Sequence, residues 1–469
     1  MKKNWQTWYK IAKEKIENFP NIGGIISAWN TNIDAVVKLS GSQIKTLLQN
    51  YTTLDNQEEK IIHSPQDVLR GLIQCFENGI AEEWIVSNEE TFEWMKKNIG
   101  YQKLQMGGQG GIIANTAAVC GIHPVFVHCA SLPKMQADLF LDLDNLLSFN
   151  QNNEPQKACQ IDRSQDIPLI HWILEFDGND SFTFQDKTIT CPKSNRFIAT
   201  YDPLNLLLHI DPAFQQGIQK TEQKINFIFL AGYHLLQEIL YNGQKGEDKI
   251  KNSMDILQQW KIKHKDSIVH FEFASTQDIS MRETMLNKIA TQVDSLGCNE
   301  RELIDILEIL NLPDLQKKCN ETTNSIHLFQ GLLHLFQYLQ IPRIQLHMFG
   351  LYITISQKTA NISPTQNRDG MITAATIAAT KAGTGTVYDK DNLLWGYGKE
   401  IHDVSVQELQ NLHQYLTEQF GSNDLDKTGI AQFPEFDIIA VPTIVIDKPI
   451  TLVGMGDTIS SISLLAAKA

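Results

Sequence analysis

From about residue 222 onward the chain alternates short, nearly all-apolar runs with longer stretches of helical period. INFIFLAG is followed by a helical stretch at 247–263, SIVHFEF by 280–292, and QVDSLGC by 300–310 and a helix ending near 340, after which comes RIQLHMFGLYITIS. Runs this apolar have no polar face, so strands made from them must be covered on both sides, as the connecting helices of a mostly parallel sheet do. The pattern predicts an α/β fold with a large central sheet flanked by helices. Parallel strands end on one side, and ligands of such sheets sit beyond their carboxyl ends.

The first half is less regular, with polar stretches at 40–66 and 149–166 around sheet-like segments such as PLIHWILEF at 168–176. A length of 469 residues suits two or three folding units at roughly 150 residues each. The reading is a large domain from 1–33, 107–155 and 201–469, with a smaller sheet-bearing domain from 34–106 and 156–200. The segment 149–166 is rich in turn formers and charge and reads as an exposed loop. The start, MKKNWQTWYKIAKEKIENF, interleaves charge with aromatics and lacks the continuous apolar core of a signal peptide. It reads as an amphipathic helix packed on its own domain, membrane-surface binding being the rival use.

A formal net charge of −14 is a poor surface for nucleic-acid phosphates or anionic lipid. No apolar stretch reaches the roughly 20 residues of a bilayer-spanning helix. The seven cysteines are scattered without metal-ligand spacing, as in a protein of the reducing cytoplasm. The expectation is a cytoplasmic monomer with no nucleic-acid or membrane partner.

Four motifs carry the chemistry. In LVGMGDTISS at 452–461 an apolar run stops at Gly454-Met455-Gly456-Asp457 and a helix follows, a strand–turn–helix whose free N–H groups favour a phosphate. Asp457 at its lip is placed to take a proton; taken alone, it equally well caps the helix. QMGGQGGIIAN at 105–115 is a second glycine turn before a helix. In AWNTNIDAVV at 28–37, Asn30, Asn32 and Asp34 fall on one face of a strand and suit a polyhydroxylated ligand. His270-Phe271-Glu272 and Asn299-Glu300-Arg301-Glu302 end consecutive apolar runs, so their carboxylates can meet at a hard cation; singly, each is an ordinary helix cap or surface face.

Together, NTNID, MGGQxGIIAN, HxE, NxxE and VPT followed by VGMGDTISS resemble the ADP-dependent glucokinase and phosphofructokinase family, in order and spacing, from about residue 20 to 465. The resemblance implies a ribokinase-like fold with a lid domain, and transfer of the β-phosphoryl group of ADP to a sugar hydroxyl with Mg2+. It implies Asp457 as base, Gly454, Met455 and Gly456 as backbone anion hole, Glu272 and Glu302 at the magnesium with His270 and Asn299 in support, and Arg196 on the nucleotide phosphates. His347, Tyr352 and Val441 would border adenine. Asn32, Asp34, Gly108, Gln109 and His171 match positions that hold glucose. Glu83, with Glu82 one register away, aligns with a glutamate of the glucokinase branch where the phosphofructokinase branch has a small residue. The resemblance therefore favours an ADP-dependent glucokinase. The alternatives are a phosphofructokinase or bifunctional enzyme and, from another class, a regulator that binds nucleotide or sugar without turnover.

Overall fold

In the computed structural model, which describes residues 2–51, 60–276 and 278–469, the apolar runs of the second half lie side by side. Seven strands run parallel in the order Leu146–Phe149, Val125–Val127, Gly24–Ala28, Ile225–Leu230, Ile268–Glu272, Ser295–Cys298 and Arg343–Met348. Antiparallel strands finish both edges: Pro155–Lys157 on one side, and Leu351–Gln357, Phe436–Pro442 and Ile430–Gln432 on the other. Gly24–Ala28 occupies the middle because the chain later adds strands to either side of it, which creates the crevice where such sheets bind ligands.

A second, six-stranded sheet is built from Ile61–Ile62, Glu82–Val86, Asn195–Tyr201, Ile170–Phe176, Asn32–Lys38 and Lys103–Gly107. It has its own core. Ile33, Ala35 and Val37, with Trp172, Leu174, Phe197, Ala199 and Trp84, pack with Val68, Leu72 and Phe76 of the helix Pro65–Asn78 and Phe92 and Met95 of Glu89–Asn98. Side chains alternate across a strand, so Asn32, Asp34, His171, Arg196 and Glu83 fall on the opposite face, toward the large sheet.

Three local readings change. RIQLHMFGLYITIS is a hairpin rather than one strand, because Gly350 adopts φ +84° and reverses the chain after Phe349. Pro155–Lys157, inside the expected loop at 149–166, is an edge strand paired with Leu146–Phe149. The apolar run before Gly454 is not a strand: the last strand ends at Pro442, and Ile450 and Leu452 are exposed in the irregular segment that leads to the helix. The polar stretch at 40–66 lies partly outside the described residues. The amphipathic start forms the helices Lys2–Trp8 and Ile11–Asn18, which bury Trp5 and Ile16, and Tyr9 between them donates to Pro442 O at 2.7 Å. Among the described residues no helix is long and apolar enough to cross a membrane.

The helix Met455–Lys468 is buried along nearly its whole length against the helix Pro364–Thr384. Gly370 permits this: a Cβ there would sit 2.2 Å from Ser463 O and 2.9 Å from Ala467 N. Alanine has the higher helix propensity, by about 1 kcal/mol, but the obstruction is backbone that cannot rotate away. Gly370→Ala is expected to destabilise the protein by about 1–3 kcal/mol, read as a lower urea midpoint at unchanged slope; an equal or higher midpoint would show that the two helices have room to part.

Candidate active site

The chain crosses between the sheets at Asn30, and the side chains that follow face the crevice. Asn30, Asn32 and Asp34 are 2 %, 1 % and 6 % exposed, and Asn32 Nδ2 donates to Asp34 Oδ1 at 2.8 Å. The glycine turn fits against them: Gly108 has φ +74°, and a Cβ at Gly107 would lie 2.1 Å from Asp34 Oδ1. The expected acceptor residues Asn32, Asp34, Glu83, Gly108, Gln109 and His171 all line one cavity of about 260 Å³, together with Arg196, Gly454 and Asp457. Arg196 is exposed, and no hydrogen bond or ion pair of its side chain occurs among the described residues.

Strand register decides between the neighbouring glutamates. Glu83 turns into the cavity, where Thr200 Oγ1 donates to its Oε1 at 2.5 Å; Glu82 turns away to Lys60 and to the indole N–H of Trp84. His171 sits 3.0 Å from Asp202 Oδ2 through Nε2 and 3.8 Å from Glu83 Oε1 through Nδ1. Burial disfavours its charge, but the hydrogen bond to Asp202 and the charges of Asp202, Glu83 and Asp34 outweigh it and raise its pKa to about 9. At neutral pH it is therefore an imidazolium with two donors. Burial raises the Asp34 carboxyl, against the pull of His171 and Asn32.

The N-terminal turn of the helix Met455–Lys468 closes this cavity on the side of the large sheet. Gly454, at φ +63°, is its N-cap, and Asp457 stands in the first turn with 8 % exposure. Gly454 O accepts from Lys381 Nζ at 2.9 Å and Thr458 Oγ1 at 2.9 Å, which fixes the peptide at the positive end of the helix. Burial raises the Asp457 carboxyl, while Lys381 and a hydrogen bond to Gln109 hold it down. Gln109 in turn accepts from Gly232 N at 2.9 Å and so ties the second glycine motif to the end of the strand Ile225–Leu230.

Glu272 and Glu302 stand beside this turn at the ends of adjacent strands. Glu272 is 3 % exposed; His270 Nε2 lies 3.1 Å from its Oε2 and His347 Nε2 3.7 Å from its Oε1. Asn299 and Glu302 form a helix cap as well: Asn299 Oδ1 accepts from Glu302 N at 3.0 Å, and Glu302 Oε2 accepts from Asn299 N at 2.7 Å. That leaves Oε1 of Glu302 with no hydrogen bond among the described residues. Burial first, then the charges of Glu302 and Asp457, push the Glu272 carboxyl well up; burial chiefly, with Asp457 adding, pushes Glu302 to about 8. Among the described residues no three His, Cys, Asp or Glu side chains converge as a chelating group. Two half-committed carboxylates, both raised by burial and by Asp457, suit an ion held largely by water and phosphate oxygens.

On the far side of the same helical turn lies a cavity of about 650 Å³ bordered by His347, Phe349, Tyr352, Ile446, Leu452 and Gly456. His347 is at its inner end: a Cβ on Gly456 would be 2.8 Å from its Nε2, and burial lowers its pKa to about 4. Tyr352 is on the wall. Val441, the third residue expected there, is fully buried in the sheet opposite Tyr352, and the wall is formed instead by Thr443 and Ile444, which follow it. The turn Gly454–Asp457 thus separates an apolar, aromatic-edged slot from a polar cavity, as transfer of a phosphoryl group between two bound molecules requires.

Two residues of the site were not read from the sequence. His234 lines the polar cavity with a buried Nδ1 that has no hydrogen-bond partner among the described residues; its position after the run INFIFLAG, at the end of a strand, was the available signal. Lys381 gave none, since one lysine in a helix of small residues reads as surface.

The conserved region described as ADP-specific phosphofructokinase/glucokinase matches residues 23–466. Over 97 % of each chain the protein is 30 % identical to an ADP-dependent glucose/glucosamine kinase of Pyrococcus furiosus. It is 27 % identical to an ADP-specific phosphofructokinase of Methanosarcina acetivorans, over 96 % of this chain and 94 % of that one. Among solved structures, a last common ancestor of ADP-dependent phosphofructokinases from Methanosarcinales superposes with a TM-score of 0.88 at 26 % identity, over 100 % of this chain and 99 % of that one. An ADP-dependent kinase in complex with fructose-6-phosphate and ADPβS gives 0.85 at 26 %, over 99 % and 98 %. The chain belongs to the ADP-specific phosphofructokinase/glucokinase family and is an ADP-dependent sugar kinase.

Proposed function

We propose that the protein is an ADP-dependent glucokinase, transferring the β-phosphoryl group of ADP to the 6-hydroxyl of D-glucose to give glucose 6-phosphate and AMP. The observation that carries the choice of acceptor is Glu83, turned into a cavity already holding Asp34 and Asp457. Carboxylates accept hydrogen bonds from glucose hydroxyls. The dianion of a sugar phosphate would meet repulsion of about 4 kcal/mol per like-charged pair at 4 Å and an effective dielectric of 20.

In this reading Asp457 takes the proton of the attacking hydroxyl, and the N–H groups of the Gly454–Asp457 turn, with Arg196, stabilise charge on the moving phosphoryl oxygens. Its transition state is loose, so positioning and charge stabilisation are the main work. His171, Asn32 and Asp34 orient the sugar, and the slot with His347 and Tyr352 takes the base. Glu272 and Glu302 would hold Mg2+ through its waters; when bound, the ion neutralises charge on the donor phosphates.

A second reading, 6-phosphofructokinase activity alone or beside the first, is favoured by the phosphofructokinases among the relatives and by the fructose-6-phosphate complex of a structural neighbour. A coupled assay crossing ADP and ATP with glucose and fructose 6-phosphate separates the two. Glucose 6-phosphate and AMP are expected only from ADP and glucose; preferential use of fructose 6-phosphate would overturn the glucokinase assignment, and ligand binding without any product would favour a regulator. Asp457→Asn is expected to lower kcat by about 10²–10⁴. Glu83→Ala should raise KM for glucose while leaving KM for ADP unchanged.

His171 gives a pH signature. Its pKa is raised in the folded state, so its stabilising charge interactions are complete below the unfolded value near 6.5 and are lost as pH rises through about 9. The Tm difference between the protein and His171→Gln is therefore expected to be largest near pH 6 and to shrink toward pH 9.5. A constant difference would show that the ring is neutral throughout.

A further inference from the structure

Behind Glu272 lies a chain of polar groups with little access to solvent. Arg343, at the start of the strand Arg343–Met348, is 2 % exposed and has no carboxylate within ion-pairing distance among the described residues. Its guanidinium donates from Nε to Asn367 Oδ1 at 2.8 Å, from Nη1 to Ser295 Oγ at 2.9 Å, and from Nη2 to Ser463 Oγ at 3.0 Å and to Gln345 Oε1. A buried cation surrounded only by neutral acceptors is costly to keep. The anion it faces through intermediates is Glu272.

We propose that Arg343 and Ser295 are positioning residues that fix the tautomer of His270 and, through it, the orientation of Glu272. The inference follows from counting donors. Arginine only donates, so the Ser295 oxygen accepts from Arg343 and its single proton must go elsewhere. Its other neighbour is His270 Nδ1, at 2.9 Å. Nδ1 is then the acceptor, the ring proton sits on Nε2, and Nε2 donates to Glu272 Oε2 at 3.1 Å. With Glu272 ionised, as holding a cation requires, the other tautomer would leave the Ser295 proton without an acceptor among the described residues and set two lone pairs against each other across that last contact, so one assignment satisfies every group.

The relay Arg343→Ser295→His270→Glu272 occupies Oε2. It leaves Oε1 as the oxygen beside Gly456 and the donor slot, with a Cβ on Gly456 only 3.5 Å away. Gly297 keeps the path clear, since a Cβ there would fall 2.2 Å from Glu272 Oε2. The fork of arginine matters, because one planar group spans Asn367, Ser295, Ser463 and Gln345 at once.

The role given to Glu272 rests on the proposed kinase reading, but the tautomer does not, and the experiment keeps them apart. Protein labelled with 15N-histidine is examined by NMR without nucleotide, sugar or divalent ion, the His270 signals being assigned by their loss in His270→Gln. A protonated Nε2 beside an unprotonated Nδ1 is expected, and Ser295→Ala should shift the pair toward the other tautomer. With ADP and whichever sugar the enzyme phosphorylates, Ser295→Ala should raise the Mg2+ concentration for half-maximal rate by about 10–100-fold and leave KM for the sugar unchanged. A protonated Nδ1 in the unsubstituted protein, or an unaltered Mg2+ requirement in Ser295→Ala, overturns the proposal. Failure of the acceptor assignment would alter neither readout.

Discussion

The site is organised around negative charge that the fold forces out of water. Glu272, Glu302 and Asp457 are each at least nine-tenths buried; Asp457 raises the proton affinity of both glutamates, and Glu302 that of Glu272. Such a cluster is tolerable only with cationic surroundings. The protein supplies them at three distances: the positive end of the helix Met455–Lys468 in contact, Lys381 directly behind Gly454, and Arg343 through a relay of hydrogen bonds. The depth of that helix, the close packing at Gly370 and the order of the strand ends all serve to hold these charges in one place.

The two sheets divide the work. Asn32, Asp34, Glu83, His171 and Arg196 line the polar cavity from one face of the smaller sheet, whose other face has its own core, while the acid cluster and the aromatic slot belong to the large sheet and its helices. The connections between sheets themselves line the polar cavity: Asn30 lies on one crossing, and Gly108 and Gln109 on the return. The turn Gly454–Asp457 borders both cavities.

Much of this was legible in the sequence, for physical reasons that can be named. The alternation of apolar runs and helices gave the mostly parallel sheet because strands covered on both faces need side chains without a polar side. The motifs gave the strand ends because polar residues stop apolar runs there. What escaped depended on backbone geometry or on partners far away in the chain. Phe349-Gly350 looked like the middle of a strand until the left-handed glycine turned it. The run before Gly454 is apolar without pairing with any strand. The pattern of Asn299 and Glu302 fits both a cap and an ion site, and the cap geometry uses one carboxylate oxygen while leaving the second. Lys381 and Arg343 could not be found by pattern, since a cation's burial is decided by elements more than 70 and 100 residues further along.

The separate core of the smaller sheet bears on how such a protein changes over generations. The side chains that face the cavity from this sheet are not the ones that hold it together; Trp172, Phe197, Trp84 and their helices do that from behind. A replacement at Glu83 or Arg196 therefore carries a small folding penalty, whereas one at Gly370 or Ser463 disturbs packed backbone. The lining of this cavity can thus drift by single side chains while the packed helices behind the turn stay fixed, which is a condition under which relatives of one architecture come to bear the names of different sugars.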